Sequence, residues 1–91
     1  MTPECIDRFE FTKKFEKAFL KLTSGEPRRV RVALQSAADD LRNPSLNRHE
    51  LKGARSGTVS LSAGGDLRVL CRIYIEDGQT VALVEVVGTH S

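Results

Sequence analysis

A chain of 91 residues has room for one domain, read here as residues 1–91, and a domain this small buries only roughly 60–65% of the surface its unfolded chain exposes, so its core is thin. With 40% hydrophobic and 29% charged residues it falls among soluble globular proteins and outside the disordered and fibrous classes. The net charge of +2 is too small for a protein that grips a polyanion through charge alone. No apolar run is long enough to cross a bilayer, and the start Met1-Thr2-Pro3-Glu4-Cys5 lacks the basic and apolar regions of a secretory signal, which together predict a cytoplasmic protein without a membrane partner.

In chain order, Ile6 to Phe11 predicts a short first strand, with Phe9 and Phe11 two residues apart. Thr12 reads as the N-cap of a first helix, in which Phe15, Phe19 and Leu22 recur at helical spacing with lysines between them, and Gly25 closes the segment. Pro27, whose fixed φ suits a first helical turn, opens a second helix with Val30, Leu34, Ala37 and Leu41 on one stripe; Asn43-Pro44 stops it. Apolar residues at this spacing mark packing. Seven of the 14 basic residues (Lys13, Lys14, Lys17, Lys21, Arg28, Arg29 and Arg31) fall in this hairpin, where a solvated helix face explains them better than a docking surface for RNA.

From Pro44 to Ser56 the chain reads as an exposed connection, too polar for a third core helix. Beyond it, Thr58, Ser60 and Ser62 alternate with Val59 and Leu61, the pattern of a half-buried strand. Ala63-Gly64-Gly65-Asp66 is a hairpin turn, since adjacent glycines supply the positive φ such turns need; a phosphate-cradling loop would require a following helix and a Walker lysine, and neither is present. Leu67 to Ile75 forms the next strand, Glu76-Asp77-Gly78-Gln79 a second turn, and Thr80 to Val87 the last strand. The predicted class is α+β: a short N-terminal strand, a two-helix hairpin and a three-stranded antiparallel meander, with the helices on one face of the sheet.

Alternation along Leu67-Arg68-Val69-Leu70-Cys71-Arg72-Ile73 puts Leu67, Val69, Cys71 and Ile73 on one face and Arg68 on the other. Counting by parity sets Thr58, Ser60 and Ser62 beside Arg68, and Val84, Val86, Gly88 and His90 together on the last strand, with His90 at the rim of a groove containing Arg68. His49, Lys52 and Arg55 lead into the first meander strand. An arginine offers a permanently charged fork for phosphate, and a histidine has both protonation states available near neutrality. No acidic cluster has the spacing of a divalent-ion site, so a reaction on phosphate here is expected to need no metal and no cofactor. The bland alternative pairs Arg68 with Glu76 or Glu85 on an exposed sheet face, and leaves Asp66 as a turn residue. Cys5 and Cys71 lack redox or zinc spacing and are read as reduced, with Cys71 in the core.

The stretch Gly64-Gly65-Asp66-Leu67-Arg68-Val69-Leu70-Cys71-Arg72-Ile73-Tyr74, preceded by His49-Glu50-Leu51-Lys52-Gly53, followed by Val86-Val87-Gly88-Thr89-His90 and set behind two helices, resembles the RelE/ParE superfamily of type II toxins. In particular it is similar to the ribosome-dependent RNA-cleaving branch that includes RelE, YafQ and HigB. The resemblance implies a metal-independent endoribonuclease that cuts messenger RNA on the ribosome and stops translation, with a cognate antitoxin, the ribosome and messenger RNA as partners. It implies catalytic roles for Arg68, His90 and His49, and contacts to RNA phosphate from Lys52, Arg55, Ser60, Ser62 and Asp66. The sequence departs from that pattern at Thr58, Ser60 and Ser62, where RelE-like enzymes present lysine or arginine and YafQ-like ones a histidine. A ParE-like inhibitor of DNA gyrase, or a catalytically inactive relative that only binds an antitoxin, needs none of these groups.

Overall fold

The computed structural model describes residues 5–51, 53 and 57–89. Strand β1 (Arg8–Phe11) leads into helices α1 (Lys13–Leu20) and α2 (Glu26–Asp39), a 3-10 turn (Pro44–Leu46), and strands β2 (His49–Glu50), β3 (Thr58–Ser62), β4 (Leu67–Glu76) and β5 (Gln79–Thr89). The strands form one sheet in the order β1-β5-β4-β3-β2, with β1 parallel to β5 and every other pair antiparallel. The class is the predicted α+β. Phe15 of α1 and Val30, Ala33 and Ala37 of α2 share a core with Leu61, Leu67, Val69, Cys71, Ala82, Val84 and Val87 of the sheet, so both helices cover the same face.

Local chemistry explains most of these boundaries. The Thr12 hydroxyl accepts from Phe15 N at 3.0 Å, the side-chain cap that starts α1. The rings of Phe9, Phe11, Phe15 and Phe19 then stack in sequence at 6.3, 5.3 and 5.6 Å, tying β1 to the helix. Helix α1 ends at Leu20, earlier than its apolar spacing predicts, and Leu22 packs against the core from outside the helix. Gly25, at φ +81°, is the N-cap of α2 and not the end of α1. The packed stripe of α2 contains Ala33 as well as Val30 and Ala37, while Leu34 sits on its flank and Leu41 is buried just past the helix end.

The connection after α2 is more structured than its composition suggests. Leu46 in the 3-10 turn is 1% exposed, and β2 adds a fifth strand to the sheet by pairing His49 with Ser60 and Glu50 with Val59. Both hairpin turns fall where the sequence puts them. Asp77 and Gly78 both take positive φ, as a tight two-residue hairpin requires. At the other turn Gly64 has φ +93°, and a Cβ there would sit 3.3 Å from Arg29 Cδ.

The final strand does not keep its parity. Leu70 pairs with Val86 but Cys71 pairs with Val84, leaving Glu85 as the extra residue of a β-bulge. Thr12 holds the bulge from the helix side, its N donating to Val84 O at 3.1 Å and its hydroxyl to Glu85 O at 2.9 Å. Val84 and Val87 consequently face the helices, and Val86 and Gly88 face the open side. Counting by twos groups Val84 with Val86 and Gly88; the bulge separates them.

Candidate functional site

The open face carries a groove of about 670 Å³ at the end of the sheet formed by β2 and β3 and the adjoining parts of β4 and β5. Arg68, Ser60 and His49 share the face on which the groove opens, Leu70 and Val86 form its apolar floor, and Glu50, Leu51, Gly88 and Thr89 complete the lining. Alternation in β4 accounts for Arg68, since Leu67 and Val69 on either side point into the core. The pairing of His49 with Ser60 brings the short β2 strand alongside.

Arg68 is held by neutral acceptors. Its Nε donates to Ser60 Oγ at 2.6 Å, and its Nη2 donates to Asn47 O at 2.9 Å and to Ser60 O at 3.2 Å. Among the described residues no carboxylate pairs with it. Glu76 is taken by Arg8 at 2.8 Å, and Glu85 lies 3.9 Å from Arg72 Nε. A guanidinium has five N–H donors, so three are committed to the protein and the two on Nη1 have no described partner. The charge is oriented without being neutralised.

The remaining predicted site residues divide by position. His49 is exposed on β2 and lines the groove. Ser60 lies inside the site but is only 5% exposed, with its oxygen engaged by Arg68. Ser62 stands opposite Arg68 in the ladder, yet its hydroxyl accepts from Gly64 N at 3.3 Å and so serves the turn. Asp66 sits in that turn, and no hydrogen bond or ion pair joins it to Arg68 among the described residues. Lys52, Arg55 and His90 lie outside the described residues.

Two participants escaped sequence reasoning. Glu50 lines the edge of the groove next to His49, where its pairing with Val59 gives it the opposite parity, and a two-residue strand offers no periodicity by which to place it. Asn47 acts through its backbone carbonyl, aimed by a left-handed conformation at φ 43° and ψ 54°; only the bias of asparagine toward that region hints at it. Farther along the same face, the Tyr74 hydroxyl donates to Glu10 Oε1 at 3.1 Å. Desolvation, that bond and the nearby Glu10 and Glu76 carboxylates hold this phenol above its usual range. Behind Arg72, burial first and Glu85 second push the Cys71 thiol up to about 12.

No family model and no curated protein matches the chain. Solved structures do. A YoeB/ParE toxin from Agrobacterium tumefaciens superposes with a TM-score of 0.72 at 14% identity, over 93% of this chain and 100% of that one. The toxin–antitoxin complex RelBE2 from Mycobacterium tuberculosis gives 0.60 at 27% identity, over 98% and 100%. YafQ in the DinJ-YafQ toxin–antitoxin complex from E. coli gives 0.65 at 17%, over 93% and 92%. The chain has the fold of the RelE/ParE-like type II toxin superfamily, so the resemblance carried by its sequence motifs is borne out. Its structural neighbours YoeB, RelE and YafQ are toxins of toxin–antitoxin systems.

Proposed function

We propose that the protein is the toxin of a type II toxin–antitoxin pair and that its Arg68 groove cleaves messenger RNA on the ribosome without a metal ion. One observation carries the reading: a guanidinium fixed by neutral acceptors, with no carboxylate paired to it among the described residues, shares a groove with an imidazole. Metal-free cleavage of RNA removes a proton from a 2′-hydroxyl, forms a bond from that oxygen to phosphorus, and breaks the bond to the 5′-oxygen, which takes up a proton. Arg68 stabilises the negative charge that grows on the phosphate oxygens. His49 and His90 divide the two proton transfers, one accepting the first proton and the other supplying the second. Leu70 and Val86 give a base or ribose an apolar surface to lie on, which suits single-stranded RNA with its bases unstacked.

The ribosome holds the substrate strand and compensates for the modest +2 charge of the toxin. A cognate antitoxin, in this reading, covers the open sheet face and blocks the groove. The test is a purified translation system with gyrase assayed in parallel. Wild-type protein is expected to stop peptide synthesis, Arg68→Ala to lose most of that effect, and gyrase supercoiling to continue in both. Arrest of supercoiling with translation intact would replace this reading with gyrase poisoning. Activity in neither assay by folded, antitoxin-free protein would make the chain an inactive relative.

A further inference from the structure

We infer that Ser60 and Asn47 are positioning residues that latch Arg68, and that Ser60 does not contact RNA; the inference rests on the reading of the groove as a ribonuclease site. An arginine side chain free in solvent samples many rotamers, and ordering it costs entropy at the moment it is needed. Here that ordering is built in. Ser60 supplies two of the three acceptors, its hydroxyl to Nε at 2.6 Å and its carbonyl to Nη2 at 3.2 Å, from a residue that is 5% exposed. Asn47 supplies the third at 2.9 Å.

The latch is mounted on the core. Asn47 ends the 3-10 turn and its N donates to Pro44 O at 3.1 Å. The turn opens with Asn43, whose Oδ1 accepts from Ser45 N at 3.0 Å and from Ser45 Oγ at 2.9 Å. Leu46, between them, is buried. A short polar turn is thereby fixed well enough to aim one carbonyl at a guanidinium on β4.

The arrangement also decides how Arg68 meets its ligand. With Nε and both protons of Nη2 committed, the bidentate forks that use these nitrogens are closed, and the phosphate is approached from Nη1. The acceptors are dipoles, so the full positive charge survives for the transition state. A lysine or arginine on this face of β3, as the sequence resemblance implies for RelE-like enzymes, would add a second cation; Ser60 instead holds the one cation still.

Two readouts on the same variants test this. In free, nitrogen-15-labelled protein the Arg68 Nε–H signal is expected to be sharp, protected from solvent exchange and as ordered as the backbone. Ser60→Ala is expected to make it mobile and fast-exchanging without altering the backbone spectrum, and Ser60→Thr to restore it. In single-turnover cleavage of messenger RNA on ribosomes, Ser60→Ala is expected to lower the rate about ten- to a hundredfold while shifting the half-saturating concentration by less than about threefold, with Ser60→Thr recovering most of the rate. An Arg68 Nε–H that stays ordered in Ser60→Ala, or a loss that appears in saturation and not in rate, overturns the latch and makes Ser60 a bystander or an RNA ligand. If Arg68→Ala cleaves at the wild-type rate, the ribonuclease reading itself fails, whatever the resonance shows.

Discussion

Arg68 and Cys71 lie three residues apart on one strand and have opposite electrostatic fates. The guanidinium projects from the open face and keeps its charge. The thiol, fully buried on the helix face, is kept neutral by desolvation and by Glu85, with its pKa pushed from 9.0 up to about 12. A raised pKa means that the folded state holds its proton where the unfolded chain has lost it. The stabilisation is complete below the unfolded value and disappears as pH climbs through the folded one. Wild-type stability should therefore fall more steeply than that of Cys71→Ala between about pH 9 and 12, by on the order of 1 kcal/mol per pH unit, measured by urea unfolding at each pH. Equal slopes would contradict the burial argument. The face occupied by Arg68 was legible from simple alternation, and its independence from Glu76 and Glu85 was not. Those carboxylates are claimed by Arg8 and Arg72, and one of the arginine's three acceptors lies 21 residues upstream in a turn with no periodic signal.

Helices and hairpins were legible where a period or a steric rule operates. Thr12, the phenylalanines at helical spacing, Gly64-Gly65 and Asp77-Gly78 each act through local geometry that a sequence displays. The β-bulge at Glu85 and the two-residue strand β2 have no period, and both depend on hydrogen bonds to segments far away. Thr12 links the two kinds of feature, because one hydroxyl caps α1 through Phe15 N and bonds the bulge through Glu85 O. Thr12→Ala is expected to cost roughly 1–3 kcal/mol in chemical denaturation, from the lost cap and an unpaired bulge carbonyl together, and Thr12→Ser to recover most of it. A loss confined to a few tenths of a kcal/mol would mean that the bulge is held by strand pairing alone.

At the scale of the whole molecule, one sheet face is covered by the helices and the other carries the groove. The thin core expected of a 91-residue chain is met by a single layer of helices on a five-stranded sheet. That architecture, and its likeness to the RelE/ParE-like toxins, could be read from element order and the Arg68 strand. The lining of the groove could be read only in part: His49, Ser60 and Arg68 line it, the Ser62 hydroxyl bonds within the neighbouring turn where Asp66 also lies, and Glu50 joins the lining through a strand too short to predict. Charge gave a further clue at this scale. A net +2 is modest for a protein that grips a polyanion through charge alone, and calls either for basic residues focused on one surface or for a larger partner that supplies most of the affinity.

The central claim is that the Arg68 groove cuts messenger RNA held by the ribosome, and primer-extension mapping of a defined message on translating ribosomes tests it most directly. The account predicts new 5′ ends within the decoding site when wild-type protein is added, persisting with a chelator at a level that leaves ribosomes intact and reduced about a hundredfold or more in rate by Arg68→Ala. Uncut message with folded, antitoxin-free protein, or cleavage that Arg68→Ala leaves unchanged, would contradict it.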